Sequence, residues 1–425
     1  MKIFCVPSNA RLSIPADTNL VTVLFGRAET PVNASIGAAV LESIQKRKIA
    51  PTQRAWDFLS IALSVITADT SVCRNESPDG WTREIDIRIA VSDPEFWTTK
   101  SNLLARQLQF LTTDIWQLSF SEGGFQPPHL PNPLLPSEDC VSLLSGGLDS
   151  FIGAIDLAHK GLSPYLVSQV SHGDKRKQAC FASQIGTGLR LLQLNHNARY
   201  PGKNERSQRA RSFIFLVYGV LLATALQRYR DGEQLKLYVC ENGYISLNPP
   251  LTGMRIGSLS TKTTHPIFLG LFQQLLDESE LRVKVENPYQ FKTKGQMLSE
   301  CLNQQFLQKH AHETTSCGRF ARNGHKHCGR CLPCLIRRSS FHAWGISDQT
   351  EYVFDDLSTD DESHKRFDDV RAAAMAVAEV EADGFNRLYH SSLNSTLMGD
   401  TTPYKEVIQQ GLKEISEYLK SVGVI

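Results

Sequence analysis

The sequence predicts an α/β fold, with a parallel sheet covered by helices on both faces, and three observations support it. Between residues 137 and 347, short apolar runs alternate with stretches in which apolar residues recur at helical spacing. Such alternation favours parallel strands joined by crossover helices. The apolar runs are nearly continuous, as expected for strands buried on both faces. The chain continues well beyond this pattern on both sides, so we expect an additional region at each end of the sheet.

Individual segments define the elements of this sheet. Four apolar runs are predicted to be strands, at residues 140–144, 165–170, 235–241 and 281–285. Four segments are predicted to be helices, at residues 149–160, 177–192, 210–229 and 265–277. The longest apolar run, 213–226, is shorter than the roughly 18–20 residues that span a bilayer, so we expect a buried helix there. The first residues lack the apolar core of a signal peptide, and we expect a cytoplasmic protein without a membrane partner.

The two flanking regions are predicted to be separate units. Residues 1–125 are predicted to form an α+β accessory domain, with a strand at 84–91 and an amphipathic helix at 52–67. The proline-rich stretch 126–136 can continue neither a helix nor a central strand, so it is predicted to link this domain to residues 137–347. Residues 348–425 are predicted to be a helical C-terminal extension. The acidic cluster 358–362 is interpreted as a helix start, with a partner-binding surface as the alternative.

Composition limits the classes of partner. The chain has 425 residues, of which 41% are hydrophobic and 21% charged, and its formal net charge is +1. These values are ordinary for a soluble globular enzyme, and no global field favours nucleic acid. The basic stretches 175–177 and 206–211 could hold RNA, but a solvated face is the simpler interpretation. We therefore expect no nucleic-acid partner.

A glycine-rich hexapeptide between the first strand and first helix of the sheet indicates a nucleotide site. It consists of Ser145, Gly146, Gly147, Leu148, Asp149 and Ser150. Two consecutive glycines let the backbone approach a phosphate, while the serine hydroxyls and loop N–H groups can donate to its oxygens. Asp149 is unsuited to bare phosphate, so we expect it to act through Mg²⁺ or to orient the donors. The loop contains no lysine and is therefore not a Walker loop.

Four of the ten cysteines predict a metal site. Their spacing is C-x10-C-x2-C-x2-C, at Cys317, Cys328, Cys331 and Cys334. Four thiolates suit structural Zn²⁺, although an iron–sulfur cluster also accepts four cysteines. His325 and His327 are nearby alternative ligands, but four thiolates complete the set without them. The other six cysteines are scattered singly and are predicted to be reduced thiols, because disulfides are disfavoured in the cytosol.

The hexapeptide resembles the SGGxDS signature of the PP-loop ATP pyrophosphatases, which have a HUP-like parallel sheet. Combined with the cysteine spacing, it resembles the 7-cyano-7-deazaguanine synthase (QueC) family over about residues 140–345. Smaller similarities are Arg211 before an apolar helix, Glu241 after a buried strand and Lys294 after the last strand. By this resemblance, Arg211 contacts the nucleotide, Lys294 stabilises a phosphate, and Glu241 and Asn242 contact the substrate. The competing interpretations are a surface lysine at 294 and a helix cap at 241.

The chain also departs from this family pattern. Ser212 stands where the family usually has asparagine, and residues 171–174 replace its tyrosine-glycine-glutamine stretch. The segment 242–258, which follows Glu241, differs as well, and the chain is longer at both ends. This long form, with Asn242 and Gly243 after Glu241, resembles the QueC-like component of the bacterial Qat anti-phage defence systems (QatC).

The resemblance implies a ligase that uses ATP and Mg²⁺ and carries structural Zn²⁺. A carboxylate like that of 7-carboxy-7-deazaguanine would attack the α-phosphate of ATP, and an amine would then displace AMP. Ser145, Asp149 and Lys294 would be catalytic, and Asp149→Ala should abolish turnover with nearly unchanged thermal stability. The added regions imply an amine on a partner protein from the same operon, whereas the plain synthase uses ammonia. A tRNA-binding PP-loop protein and a non-catalytic nucleotide-binding scaffold are competing hypotheses.

Overall fold

Two five-stranded parallel sheets form the framework of the protein. The computed structural model describes residues 1–10, 12–28, 30–170, 174–252, 262–358 and 369–425. The first sheet contains β1 (Lys2–Pro7), β2 (Leu20–Leu24), β3 (Ala34–Ile36), β4 (Glu84–Ala90) and β5 (Ile115–Ser121). Its helices are α1 (Ala38–Lys46), α2 (Gln53–Ser71), α3 (Pro94–Thr98) and α4 (Ser101–Thr112).

The second sheet follows residues 126–136. Its strands are β6 (Cys140–Leu143), β7 (Pro164–Gln169), β8 (Leu191–Leu194), β9 (Leu235–Tyr238) and β10 (Val283–Glu286). Its helices are α5 (Leu148–His159), α6 (Asp174–Gln184), α7 (Arg211–Ala223), α8 (Gln227–Arg230), α9 (Gly243–Leu247), α10 (Pro266–Glu278), α11 (Lys294–Glu300), α12 (Gln304–His310) and α13 (Leu332–Trp344). The C-terminal region adds α14 (Asp369–Asp383), α15 (Asn386–Leu393) and α16 (Thr402–Ser421).

Both sheets have the same strand order. It is β3-β2-β1-β4-β5 in the first and β8-β7-β6-β9-β10 in the second, with parallel pairing throughout. The predicted α/β fold with helices on both faces is confirmed, and it is consistent with a PP-loop domain; the C-terminal region is helical. The first region differs from the expected α+β arrangement, because its strands also pair in parallel and alternate with helices from β3 onward.

One predicted helix proved too long. The segment 177–192 contains α6, which ends at Gln184, and then β8. Gly186 and Gly188 adopt φ values of 59° and 95°, a conformation that ends the helix and turns the chain. The segment 210–229 likewise divides into α7 and α8, because Leu226 is extended between them. Among the helices in the described ranges, none is long and apolar enough to cross a membrane.

A shared hydrophobic core joins the two sheets. Helix α2 packs against α7, and the ring of Phe58 lies 5.7 Å from those of both Phe213 and Phe272. Hydrogen bonds also connect α2 to α7. The Asp69 carboxylate accepts them from the backbone N–H groups of Arg209 (2.6 Å) and Ala210 (2.8 Å) at the start of α7. The first region is therefore packed against the helices that cover the second sheet.

The C-terminal helices pack beside the second sheet. Helix α16 contacts α9, α13, α14 and α15. The acidic cluster predicted to start a helix falls mostly in residues 359–368, outside the described residues, as do 171–173 and 253–261. Residues 126–136 form neither helix nor strand, apart from a bridge that pairs Leu134 with Ile49.

Candidate active site

The candidate site lies where the strand order of the second sheet reverses. Strands β6 and β9 are neighbours, but the chain leaves them towards opposite sides of the sheet, which opens a crevice at their carboxyl ends. A cavity of about 200 Å³ occupies this position. It is lined by Ser145, Gly147, Leu148, Asp149, Ser150, Cys240, Glu241, Ile245, Lys294, Thr315, Ser316 and Pro333.

The hexapeptide forms a tight turn from β6 into α5. Gly146 has a φ of 91°, which favours glycine, and Gly147 caps the first turn of α5. The Ser150 hydroxyl holds the turn together, because it lies 3.0 Å from the Ser145 hydroxyl and donates to the Gly147 carbonyl at 3.1 Å. Serine hydroxyls and the N-terminus of the 12-residue α5 therefore face one cavity.

Asp149 is the centre of a buried polar cluster. Its carboxylate forms an ion pair with the Lys294 ammonium and accepts hydrogen bonds from the Asn242 side chain (2.6 Å) and backbone N–H (3.1 Å). Asp149 and Lys294 are both only 4% exposed. Burial opposes ionisation of Asp149, but the Lys294 charge and the surrounding donors hold its pKa well below the usual range. The cluster is thus an ionised pair facing the cavity.

Glu241 adjoins this cluster as a second carboxyl group. Burial, followed by the Asp149 charge, raises the pKa of Glu241 well above its ordinary value. Asn242 lies between the two, because its side-chain amide reaches Asp149 and also the Glu241 carboxyl at 3.3 Å. Asn242 caps α9 by accepting the backbone N–H of Ile245 at 2.9 Å. The environment therefore favours a neutral Glu241 beside an ionised Asp149.

The opposite wall of the cavity was not predicted from the sequence. It is formed by Thr315 and Ser316, and the Thr315 N–H donates to the Gly146 carbonyl at 3.0 Å. The half-buried Lys177 donates to the Thr315 hydroxyl at 2.6 Å, so this lysine does not belong to a solvated basic face. Burial lowers its pKa. The only signal in the sequence was the run of hydroxyl residues directly before Cys317.

Arg211 lies apart from these side chains. It is the first residue of α7, is exposed, and is not among the residues that line the cavity. Its charge acts on His196, which follows β8, and together with the larger effect of burial it lowers the pKa of His196 to about 4. The other residues expected at the site, including Asp149, Glu241 and Lys294, converge as described.

The four clustered cysteines form a compact buried group. All ligand sulfurs lie within 4.8 Å of one another, with Cys317–Cys331 at 3.8 Å and Cys328–Cys334 at 3.9 Å. A tetrahedral zinc site with Zn–S bonds of about 2.3 Å requires sulfur separations of about 3.8 Å. Backbone N–H groups of Arg319 and Cys328 also point at the Cys317 sulfur, each at 3.3 Å, as suits a thiolate. The donor set is compatible with Zn²⁺.

The cysteine group is joined directly to the cavity wall. The fully buried Arg337 donates to the hydroxyls of Thr314 (2.9 Å) and Ser316 (3.1 Å). His327 accepts the Ser316 N–H at 3.1 Å, so this ring nitrogen is engaged in the wall. A metal held by the cysteines would therefore fix Thr315 and Ser316 opposite the hexapeptide.

Comparisons with known proteins identify one related region. Residues 263–345 match the model of the family described as Queuosine biosynthesis protein QueC. A 7-cyano-7-deazaguanine synthase from Methanococcus aeolicus is 34% identical over 93 residues, covering 20% of this chain and 38% of the relative. One from Rhizobium leguminosarum bv. trifolii is 35% identical over 98 residues, covering 22% and 38%. Another from Rhizobium etli is 52% identical over 40 residues, covering 9% and 16%.

These matches are local. The alignable part of the chain spans less than two fifths of the length of the curated relatives. No solved structure matches the chain. The family match includes Lys294 and all four clustered cysteines, whereas the hexapeptide and Glu241 lie before it. Over residues 263–345 the chain is QueC-like.

Proposed function

We propose that the chain is an ATP-dependent ligase that adenylates a 7-deazaguanine carboxylate and transfers the acyl group to an amine. The observation that carries this proposal is the convergence of the hexapeptide, Asp149 and Lys294 on one cavity at the strand-order reversal. The similarity of residues 263–345 to the QueC family supports the choice of a deazaguanine acid.

The hexapeptide side of the cavity would hold the phosphates. Ser145 offers a hydroxyl group, and the first turn of α5 offers free backbone N–H groups. The cavity volume of about 200 Å³ is below the roughly 300–1,000 Å³ typical of whole small-molecule pockets. The described walls therefore suit the phosphate end of ATP rather than all of it.

Lys294 and Asp149 would serve the leaving pyrophosphate. The buried Lys294 ammonium can stabilise negative charge that develops as the bond between the α and β phosphates breaks. Asp149 is ionised and carboxylate ligands suit Mg²⁺, which would neutralise phosphate charge when bound with ATP. Thr315 and Ser316 supply further hydroxyl donors from the opposite wall.

Glu241 and Asn242 would face the deazaguanine acid. A neutral Glu241 does not repel the carboxylate of the acid, whereas an ionised glutamate would. Cys240, Ile245 and Pro333 add an apolar part to the cavity wall beside Glu241. In the reaction, the substrate carboxylate forms a bond to the α-phosphorus and pyrophosphate leaves. The amine then attacks the acyl carbon, and AMP leaves.

The proposed acceptor is an amine on a protein partner, as in an anti-phage defence system of the Qat kind. The support is the additional structure beside the site, because α16 packs against α9, which begins directly after Asn242. Ammonia, as in a 7-cyano-7-deazaguanine synthase, is the competing acceptor. The C-terminal helices would be dispensable for acceptor choice if ammonia were the substrate.

The test is product analysis with ATP, 7-carboxy-7-deazaguanine and the proteins encoded beside this chain. We expect AMP and pyrophosphate, and a partner whose mass increases by the acyl group. Lys294→Met should lower the rate about 100-fold or more, whereas Lys292→Met should not, since Lys292 is partly exposed and pairs with Glu300. ADP as the main nucleotide product would overturn the ligase proposal. Nitrile formation from ammonia with an unmodified partner would replace the protein acceptor by ammonia.

A further inference from the structure

Two partners of Asp149 stand at the beginnings of short helices. Asn242 caps α9, and Lys294 is the first residue of α11. Helices of five and seven residues have little stability of their own, so packing must fix their direction. The position of both Asp149 partners therefore depends on what these two helices pack against.

Helix α16 packs closely on both. A Cβ added to Gly411 of α16 would lie 2.2 Å from the Tyr244 ring of α9. A Cβ added to Gly295 of α11 would lie 2.8 Å from the Glu414 carboxyl carbon of α16. The Tyr244 ring leaves no room for a Cβ at Gly411, whereas Gly295 meets the end of the flexible Glu414 side chain. Helix α16 therefore packs on the ring carried by α9 and reaches the backbone of α11 through Glu414.

Glu414 makes the polar contact between α16 and α11. It is 4% exposed, and its carboxylate accepts a hydrogen bond from the Thr293 hydroxyl, directly before Lys294. The Gly295 N–H, directly after Lys294, also stabilises its ionised form. Gln410 supplies a longer hydrogen bond of 3.4 Å. Glu414 thus contacts both residues that flank Lys294.

The beginning of α11 is already capped without Glu414. Thr293 accepts the Gln296 N–H at 3.1 Å, and the Gln296 side chain accepts the Thr293 N–H at 2.8 Å. A capping box of this kind satisfies the helix end. Burying a carboxyl group there is costly and adds little to capping, whereas it fixes the first turn relative to α16. Because Lys294 is the first residue of α11, fixing this turn also fixes the position of Lys294.

We propose that Glu414 is a positioning residue, which acts through Thr293 and Gly295 to hold Lys294 against Asp149. The C-terminal extension then fixes the position of a cavity residue although Glu414 itself does not line the cavity. The consequence for catalysis rests on the proposed function, but the consequence for Lys294 does not. Loss of the Glu414 contact should let the first turn of α11 shift and expose the Lys294 ammonium.

The test compares Glu414→Ala with Glu417→Gln in the full-length protein. Glu417 lies one turn away on α16, is about half exposed, and pairs with Lys413 at 3.8 Å. Labelling with an amine-reactive acetyl donor, read by mass spectrometry, reports the exposure of Lys294 with Lys292 as the internal standard. We expect Lys294 labelling to rise at least fivefold in Glu414→Ala and to stay at the wild-type level in Glu417→Gln. Unchanged labelling in folded Glu414→Ala would overturn the proposal.

Pyrophosphate release provides the second readout. In Glu414→Ala we expect kcat to fall about tenfold while the KM for ATP changes less than twofold, because the phosphate loop is untouched. If Glu414→Ala does not fold, Glu414→Met gives the same comparison, because it removes the carboxylate and keeps the capping box of Thr293 and Gln296. Glu414→Met should expose Lys294. Wild-type labelling of Lys294 in folded Glu414→Met would also overturn the proposal.

The two readouts separate the two proposals. The wild-type protein could release no pyrophosphate while Lys294 is protected from labelling only when Glu414 is present. That result would contradict the proposed function and support the positioning role. Normal pyrophosphate release in a folded Glu414→Ala protein would contradict the positioning role and keep the proposed function.

Discussion

The two sheets have the same strand order, and in the described residues a cavity lies at the point where that order reverses in the second sheet. In the first sheet the segments that follow neighbouring strands pack closely on each other, after β1 and β2 and again after β4 and β5. A Cβ on Gly26 would lie 2.3 Å from the Ser8 Cβ, and one on Gly124 would lie 2.1 Å from the Val91 carbonyl carbon. In the second sheet the equivalent place holds a cavity of about 200 Å³. The difference shows that loops, rather than strand order, decide which sheet offers a site.

The buried charges of the two sheets differ in the same way. In the first, Arg83 lies 2.7 Å from Asp69 and 2.6 Å from Asp114, and Arg74 lies 2.8 Å from Asp114. This network does not line the cavity of the second sheet, and it joins α2 to the start of α7. In the second sheet the Asp149 ion pair faces the cavity. We therefore interpret the Asp149–Lys294 ion pair as functional because it faces the cavity.

The largest effect is expected from the metal site, which supports the open crevice. Cys331→Ala should unfold the cavity wall and abolish pyrophosphate release, because structural zinc contributes folding free energy. Elemental analysis should find about one zinc per chain. Cys180→Ala is the matched control, since Cys180 is exposed and lies outside the cluster. A zinc-free wild-type protein, or a Cys331→Ala protein with a normal melting temperature, would contradict this role.

A pair of variants tests the difference between the two buried ion clusters. Asp149→Asn removes the anion of the buried Lys294, and Asp114→Asn removes that of the buried Arg74. Each should lower the free energy of unfolding by about 3–5 kcal/mol. This replaces the expectation that loss of Asp149 leaves stability unchanged. Only Asp149→Asn should abolish turnover. Denaturant unfolding and pyrophosphate release, measured on the same samples, separate the loss of stability from the loss of activity. Equal loss of activity in both variants would contradict a functional role that is specific to Asp149.

The pH dependence of stability sharpens the comparison further. Burial raises the pKa of Glu414 from 4.5 to about 7, with Glu417 adding to the shift and Thr293, Gln410 and the Gly295 N–H opposing it. A raised carboxyl pKa stabilises the fold below the unfolded pKa, and this contribution is lost as pH rises through 7. Relative to Glu414→Gln, the wild-type free energy of unfolding should fall by about 2 kcal/mol between about pH 5 and pH 8. A pH-independent difference would contradict the assignment.

The smallest predicted effect concerns the wall opposite the hexapeptide. Lys177→Met should raise the KM for ATP about tenfold, because it removes the 2.6 Å hydrogen bond to Thr315 and a nearby positive charge. Lys175→Met is the matched control, since Lys175 is exposed on the same helix. Steady-state kinetics provide the measurement. An equal change of the KM in both variants would contradict a role of Lys177 in the cavity wall and favour the interpretation of the basic stretch as a solvated face.

The local parts of the site were predictable from the sequence. The hexapeptide and the cysteine spacing are short-range patterns, and each implies a turn geometry that does not depend on distant residues. The pairing of Asp149 with Lys294 is separated by 145 positions. It depends on the order of β6, β9 and β10, which no local pattern encodes, and only the family resemblance suggested Lys294.

Other features were lost for identifiable reasons. The beginning of strand β8 was included in a predicted helix because its apolar residues continue the helical spacing of α6. Gly186 and Gly188, which lie between the two elements, end the helix. The parallel pairing of the first sheet depends on long-range contacts; of its five strands only β4 was predicted, and the arrangement of the sheet was not. Glu414 has no motif around it, and its role follows only from the packing of α16 on α11.

The central claim is that the crevice of the second sheet activates a carboxylate with the α-phosphate of ATP. The most direct measurement uses 7-carboxy-7-deazaguanine labelled with ¹⁸O in its carboxyl group. Adenylation transfers one carboxyl oxygen to the nucleotide, whichever amine reacts afterwards. We predict that the released AMP carries one ¹⁸O atom and that Lys294→Met forms it about 100-fold or more slowly. Unlabelled AMP, or ADP in its place, would contradict the account.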